Sequence, residues 1–348
     1  MKEIIFHIGT HKTGTTSLQH TLHDAGAALS GLGVYYPQAG RIGREGHHNL
    51  VYELVSGWRF RPGLGGWDAL EAELRDRDDP VVLISSESLS GYRTHAGIPE
   101  RCAALARALG RRPRIVACLR PQFAYLESIY AQNAATGYTA MRFERYLLDS
   151  IARDAADYGA VLHNWQARFG SCEVFAFRPG PDRPPVAQLL RDVLGIDLPA
   201  TIPEQRANDR RGVRAVEFAR KTTEIQEHND EPVAARTALA KRVSDICARM
   251  WPNEPRFAAM DGALAKIVQA IFADRNRALF AQYPHLEEPF DAILAGHDRA
   301  VNALDLDNAG PNLRREFDNV IFRALRQSGG KGKGGDKGKG GAGGGDKP

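Results

Sequence analysis

Residues 3–17 read EIIFHIGTHKTGTTS, and the fold follows from how that stretch is parsed. Residues 4–8 form a short apolar run closed by Gly9, the pattern of a strand buried on both faces of a parallel sheet. Gly14 follows Gly9 after four residues. Leu18, Leu22, Ala25 and Leu29 then recur at intervals of 4, 3 and 4, which is one face of a helix. Gly31 and Gly33 supply its stop signal. Strand, glycine loop and helix in that order are the mechanical setting of a phosphate loop. Glycines let the backbone curl until its N–H groups face an anion, and the helix N-terminus adds a favourable dipole.

The same alternation continues outward. Residues 34–36 read as a second strand stopped by Pro37, and residues 38–46 as a loop rich in Gly and Arg. Residues 67–75 look helical. Residues 81–84 form a buried strand entered through Pro80 and left through Ser85, Ser86 and Glu87. Residues 99–109 are helical, residues 114–119 form another buried strand, and a helix runs on from Pro121 through Gln132. Residues 174–177 make the next strand. Strands alternating with helices predict an α/β fold: a parallel sheet flanked by helices in three layers, with right-handed crossovers. Beyond residue 185 the pattern is mainly helical, at 212–227, 234–250 and 263–282. The expected organisation is one domain over residues 1–327. An α/β core spans 1–185, and a mainly helical cover or substrate part spans 186–327. Residues 328–348 are Gly-Lys-Asp low complexity with no large apolar side chain, and are expected to be disordered.

Composition narrows the function class. The chain has 348 residues, 43% apolar and 25% charged, as in an ordinary soluble globular enzyme. Of the net charge of +4, the five Lys and two Asp of residues 328–348 supply +3 and the rest of the chain +1. A global field that draws in nucleic acid is therefore not expected, and any anion site is local. Cys102, Cys118, Cys172 and Cys247 are far apart and form no CxxC, which argues against a zinc site or a disulfide framework and fits a reduced compartment. The first apolar run is too short for a signal-peptide core, and no window approaches about 18 uninterrupted apolar residues. A cytoplasmic protein without a membrane span is the expectation.

The lysine of the loop is displaced. Nucleotide-triphosphatase loops place Lys directly after the second glycine; here Thr15 stands there, and the lysine is Lys12. At that place it cannot reach β/γ phosphates in the usual way, but it can sit beside the bond between a 5′-phosphate and a departing group. Lys12-Thr13-Gly14-Thr15-Thr16 resembles the 5′-phosphosulfate loop of the sulfotransferases that use 3′-phosphoadenosine 5′-phosphosulfate (PAPS), whose pattern is Lys-(Ser/Thr)-Gly-Thr-Thr. The longer string HIGTHKTGTTSLQ looks like the loop of bacterial carbohydrate-type members. The family also carries a 3′-phosphate motif, an Arg ending a buried strand and a Ser eight residues on. Arg120 follows RIVACL, and Ser128 ends RPQFAYLES. The text LESIYAQ is similar to the same bacterial group. The resemblance covers roughly residues 3–180. The Arg-Lys-Gly segment that closes over the 3′-phosphate in some members is absent, with Arg210-Arg211-Gly212 or Arg314-Arg315 as the available substitutes.

The resemblance implies PAPS as co-substrate and an acceptor hydroxyl on a carbohydrate or glycolipid; because a sulfuryl group carries less negative charge than a phosphoryl group, no metal is required. It implies donor contacts from His11, Lys12, Thr13, Gly14, Thr15, Thr16, Arg120 and Ser128. Lys12 would stabilise charge on the leaving oxygen. A general base must lie within reach of the acceptor hydroxyl. Glu87 ends the strand VVLISS at the carboxyl edge where open α/β sheets bind ligands. His48 and His47 follow GVYYP and are the other candidates. His11 reads as a loop-shaping or sulfate-contacting residue, Arg178 as a residue that faces substrate or makes a surface ion pair, and Tyr125, Tyr130 and Tyr138 as packing residues. Two other readings stay open: a P-loop kinase or nucleotide-triphosphatase, and a non-catalytic polyanion-binding protein. The first lacks both the Lys after Gly14 and an Asp at the end of the strand before Ser85.

Overall fold

The structure is a computed structural model that describes residues 1–91, 95, 97–177, 185–197 and 211–329. Strand β1 (Glu3–Gly9) passes through the glycine loop into α1 (Thr15–Asp24) and α2 (Gly26–Gly31), then to β2 (Val34–Tyr35). Next come α3 (His48–Val55), α4 (Trp67–Arg75), β3 (Val81–Ser85), α5 (Ser88–Gly91) and α6 (Gly97–Ala108). Strand β4 (Arg112–Leu119) leads to α7 (Gln122–Ala135), α8 (Phe143–Ala152) and α9 (Tyr158–Phe169), and β5 (Glu173–Ala176) to α10 (Pro185–Leu194). The rest is helical: α11 (Val213–His228), α12 (Val233–Met250), α13 (Gly262–Ile271), α14 (Ala273–Gln282), α15 (Glu287–Ala295) and α16 (Pro311–Gly329).

All five strands are parallel, in the order β2-β3-β1-β4-β5. The apolar run of β1 explains its central place. Ile4, Phe6 and Ile8 enter one core with Trp67, Leu70, Ile98 and Trp165, while Ile5 enters another with Leu18, Leu22, Leu189 and Leu190. Each of these β1 side chains is fully buried, and burying one contributes about 1.5–3 kcal/mol. From β1 the chain steps outward to β2, returns to β3 beside β1, and crosses to β4 on its other side. This reversal opens a crevice at the carboxyl ends of β1, β3 and β4. The loop after Gly9, Glu87 after β3 and Arg120 after β4 all lie at that edge.

Three local features differ from the sequence pattern. The apolar stripe Leu18, Leu22, Ala25 and Leu29 is buried, but it belongs to two helices that break at Ala25, whose φ of −92° and ψ of 7° leave the helical region. The stretch 263–282 likewise divides at Phe272, which is fully buried. Helices α3 and α5, and α8 and α9 between β4 and β5, fill residues to which the sequence pattern assigns no element.

The chain groups into two compact units. The first comprises Met1–Tyr130, Phe143–Arg210 and Ala258–Val301; the second comprises Ala131–Arg142, Arg211–Phe257 and Asn302–Pro348. Residues 258–301 thus group with the sheet, and the helical part expected over 186–327 is shared between the units. In the first unit, Glu127 of α7 fastens this segment. Its Oε1 accepts from the amides of Ala259 (2.9 Å) and Met260 (3.0 Å), and its other oxygen pairs with Arg299. The second unit has its own core, built by Ala215, Phe218, Leu239, Val243, Ile246 and Val320 among others. Within it Arg220 is fully buried and bonds Glu217 (2.9 Å), Glu224 (2.8 Å) and the carbonyl of Ala140 (3.1 Å).

Candidate functional site

The loop is held tightly at its base. The amide and hydroxyl of Thr10 both donate to the carbonyl of Cys118 on β4, at 2.8 and 3.0 Å, and the Thr13 hydroxyl donates to the Thr10 carbonyl at 2.7 Å. Three residues take positive φ: Gly9 at 75°, Lys12 at 66° and Gly14 at 80°. For Lys12 this left-handed backbone is strained by about 1–2 kcal/mol, the kind of cost found at functional loops. Gly9 is required sterically as well. A Cβ there would stand 2.7 Å from the Cβ of Glu87, so the glycine brings the loop and the carboxylate side by side.

Helix α1 starts at Thr15 with no side-chain cap and no acidic residue in its first turn. Its first backbone donors are therefore available to an external anion. Thr13 and Thr15 are buried; His11, Lys12 and Thr16 are half-buried.

The second basic element meets the loop from β4. One terminal nitrogen of Arg120 donates to the Lys12 carbonyl at 2.8 Å, tying the two parts together. The Arg120 carbonyl accepts from Tyr158 Oη at 2.7 Å, and Phe177 lies under the guanidinium at 5.7 Å. Its Nε is buried with no hydrogen-bond partner among the described residues. Burial pushes the Arg120 pKa down to about 10; Tyr158 opposes this, and the positive charge of Arg299 adds to it. Arg299, itself paired with Glu127, is thus close enough for its charge to act on Arg120. Ser128, two turns into α7, is half-buried, and its hydroxyl makes no hydrogen bond among the described residues.

A carboxylate cluster stands across β1 from Arg120. Gln19 of α1 is buried, and its amide donates to Glu87 Oε2 (3.0 Å) and Ser85 Oγ (3.3 Å). His48 Nε2 is 3.7 Å from Glu87 Oε2, and His11 Nδ1 is 3.9 Å from Oε1. The other ring nitrogen of His48 faces the hydroxyls of Ser86 (2.8 Å) and Ser88 (3.1 Å). Burial raises the Glu87 pKa, but His48 and His11, with hydrogen bonds from its own backbone and Gln19, outweigh it, so the net shift is downward. Glu87 is ionised at neutral pH.

His47 is placed differently from the other base candidates. Its Nδ1 accepts from the Ser85 amide (3.2 Å) and its Nε2 donates to the Pro37 carbonyl (3.1 Å), which fixes one neutral tautomer. The ring is fully buried, and burial, with Arg41 acting the same way, pushes its pKa down to about 3. Both nitrogens are spent on backbone, so it organises the loop and cannot take a proton from a ligand. His7 bonds Ser85 Oγ at 2.9 Å and is likewise depressed by burial, to about 4.

The remaining expected residues are scattered. Tyr130 is buried, and Tyr125 packs against Tyr158 with ring centroids 6.2 Å apart. Tyr138 departs from the packing expectation: it is 54% exposed. Arg211 pairs with Asp245 inside the second unit. Arg178 and Arg210 lie outside the described residues, as do residues 330–348. Gln19, Tyr36, Arg41, Tyr158 and Arg299 were not singled out from sequence. Of these only Gln19 left a trace, a polar residue on the buried stripe of α1.

No family model matches the sequence, and no relative is found among curated proteins. Among solved structures the chain matches a sulfotransferase from Alicyclobacillus acidocaldarius. Sequence identity is 16%, coverage is 68% of this chain and 99% of that chain, and the TM-score is 0.39. That is a loose superposition, and the functional reading rests on the residues themselves. Among the described residues no helix is long and apolar enough to cross a membrane.

Proposed function

We propose that this protein is a sulfotransferase that moves a sulfuryl group from PAPS to an acceptor hydroxyl on a carbohydrate or glycolipid. One observation carries the reading: the bond from the Arg120 guanidinium to the carbonyl of Lys12. It joins two anion-binding elements on neighbouring strands, one an uncapped helix start with a lysine and the other a buried arginine with an unpartnered Nε. PAPS carries two separate phosphate groups, at the 5′ and 3′ positions, and so asks for two linked sites.

In this reading the 5′-phosphosulfate lies on residues 11–16 and the 3′-phosphate on Arg120 and Ser128, with Arg299 adding charge. The acceptor oxygen forms a bond to sulfur as the bond from sulfur to the 5′-phosphate oxygen breaks. Glu87 takes the acceptor proton, and Lys12 stabilises charge on the leaving phosphate. Glu87 fits the base role better than His48, whose two nitrogens face Glu87 and the two serines. Its side chain is 14% exposed, against 9% for His48.

Thermal melting with adenosine 3′,5′-bisphosphate, adenosine 5′-phosphate and ATP tests the reading. The bisphosphate stabilises the protein by about 2.7 kcal/mol at a hundred times its Kd. Arg120→Ala weakens the bisphosphate by more than adenosine 5′-phosphate, which loses only the support of the loop at the Lys12 carbonyl. Equal stabilisation by ATP, with no preference for a 3′-phosphate, would instead favour the kinase reading.

A further inference from the structure

Tyr36 and Arg41 flank the carboxylate cluster, and the proposed chemistry uses neither. Tyr36 follows β2 and is 5% exposed, with its ring edge-on to His47 at 4.8 Å between centroids. Its hydroxyl is buried and has no hydrogen-bond partner among the described residues. The Arg41 guanidinium lies over the Tyr36 ring at 5.2 Å. Arg41 Nε is also buried without a partner, and no described carboxylate lies within ion-pair distance of the side chain. An unsatisfied buried donor costs about 1–3 kcal/mol. Two such donors on neighbouring side chains are therefore costly for a fold to keep.

Their position ties them to the reacting centre. The loop that carries Arg41 is closed by the Ile42 amide donating to the Gly46 carbonyl at 3.2 Å. Gly46 lies so close to the cluster that a Cβ there would stand 2.4 Å from both Gln19 Nε2 and the Ser85 carbonyl. Burial raises the pKa of the Tyr36 hydroxyl, Arg41 opposes, and the charge of Glu87 raises it further. The hydroxyl thus feels Arg41 and Glu87 together.

We propose that Tyr36 and Arg41 form an acceptor subsite that receives an oxyanion of the acceptor, a carboxylate or an ester sulfate, and so presents a neighbouring hydroxyl to Glu87. This rests on the sulfotransferase reading and names the acceptor class within it. The pair offers donors without an acceptor among the described residues, and the guanidinium fork, over the ring at 5.2 Å, can match a planar pair of oxygens. Glu87 repels an anion from its own position, so the anionic group docks on Arg41 and the neutral hydroxyl falls to the base.

The test uses the full chain, labelled PAPS and the anionic glycan fraction of its native cell in three forms: intact, carboxyl-amidated and desulfated. Label enters the intact fraction. Its loss after amidation identifies a carboxylate, and its loss after desulfation an ester sulfate. Equal labelling of all three overturns the proposal. Arg41→Met keeps an apolar stem of similar length and lowers labelling about tenfold or more without changing adenosine 3′,5′-bisphosphate affinity; unchanged labelling also overturns the proposal. Tyr36→Phe lowers labelling while its Tm equals or exceeds that of the unsubstituted protein, because it removes an unpartnered donor. A Tm lower by several degrees places the hydroxyl in the fold's own bonding and overturns the subsite. If the protein binds the bisphosphate yet labels no fraction, the anionic-acceptor proposal fails alone. If it does not bind the bisphosphate either, the sulfotransferase reading fails with it.

Discussion

At the scale of single residues, the buried histidines contribute to the acid sensitivity of the fold. His7 and His47 titrate near 4 and 3 in the folded chain, against 6.5 for a free side chain. Both stay neutral in the native state, so the unfolded chain binds more protons below pH 6.5. Stability from these two groups is present above that value and is lost as pH falls from about 6.5 towards 4, at up to about 1.4 kcal/mol per pH unit for each. Melting curves between pH 7 and 4 read this directly. His47→Gln keeps an amide that can bond the same backbone groups and cannot ionise, so its melting temperature falls less steeply with acid. A slope equal to that of the unsubstituted protein would place the acid sensitivity elsewhere. Glu87 has the opposite chemistry, a carboxylate held below its ordinary 4.5. If it is the base, the acid limb of kcat/KM lies below that value, and Glu87→Gln costs about 10²–10⁴-fold in rate.

At the scale of elements, the loop geometry makes a steric prediction. Gly9→Ala places a methyl 2.7 Å from Glu87 Cβ at a φ of 75°, so it strains the backbone and displaces the carboxylate together. It is expected to cost about 2 kcal/mol or more in stability and to lower the rate further than the stability loss explains. Urea melts beside donor turnover separate the two effects. Lys12→Gly relieves a positive φ, so its stability is not reduced while turnover is lost. The strands were legible in the sequence because a strand buried on both faces leaves an unbroken apolar run bounded by Gly, Pro or Ser, as in residues 4–8 and 81–84. The helix breaks at Ala25 and Phe272 were not, because both are buried apolar residues that are not themselves helix breakers. The candidate site was half legible. Lys12, Glu87 and Arg120 stand at strand ends, where spacing reveals them. The backbone role of His47 depends on Ser85, 38 residues away, and the contact of Gln19 with Glu87 on a separation of 68. Tyr36 and Arg41 leave no periodic signal, because what marks them is a buried donor atom on each with no hydrogen-bond partner among the described residues.

At the scale of the whole molecule, charge is divided unevenly, and that division bears on function. In the second unit Arg220 is buried on two carboxylates, Glu217 and Glu224. Arg220→Met leaves Glu217 charged and buried, which costs about 3–5 kcal/mol. The unit has a core separate from the sheet, so the loss appears as a second, earlier unfolding transition, with bisphosphate-induced stabilisation of the later one preserved. The surplus positive charge of the chain lies elsewhere, since +3 of the net +4 belongs to residues 328–348. Two functions for that charge are distinguishable. A basic tail that recruits a polyanionic acceptor raises apparent acceptor affinity in a salt-dependent way, because it acts through exposed charge. A tail that only solvates the chain leaves acceptor KM unchanged at every salt concentration. The proposed subsite supplies its own cation, Arg41, beside the base, so acceptor selection does not require the tail. Ending the chain at Gln327 therefore lowers retention on a cation exchanger and leaves kcat, acceptor KM and bisphosphate affinity within about twofold at 150 mM salt. A tenfold rise in acceptor KM that appears only below about 50 mM salt would move part of acceptor capture from Arg41 to the tail.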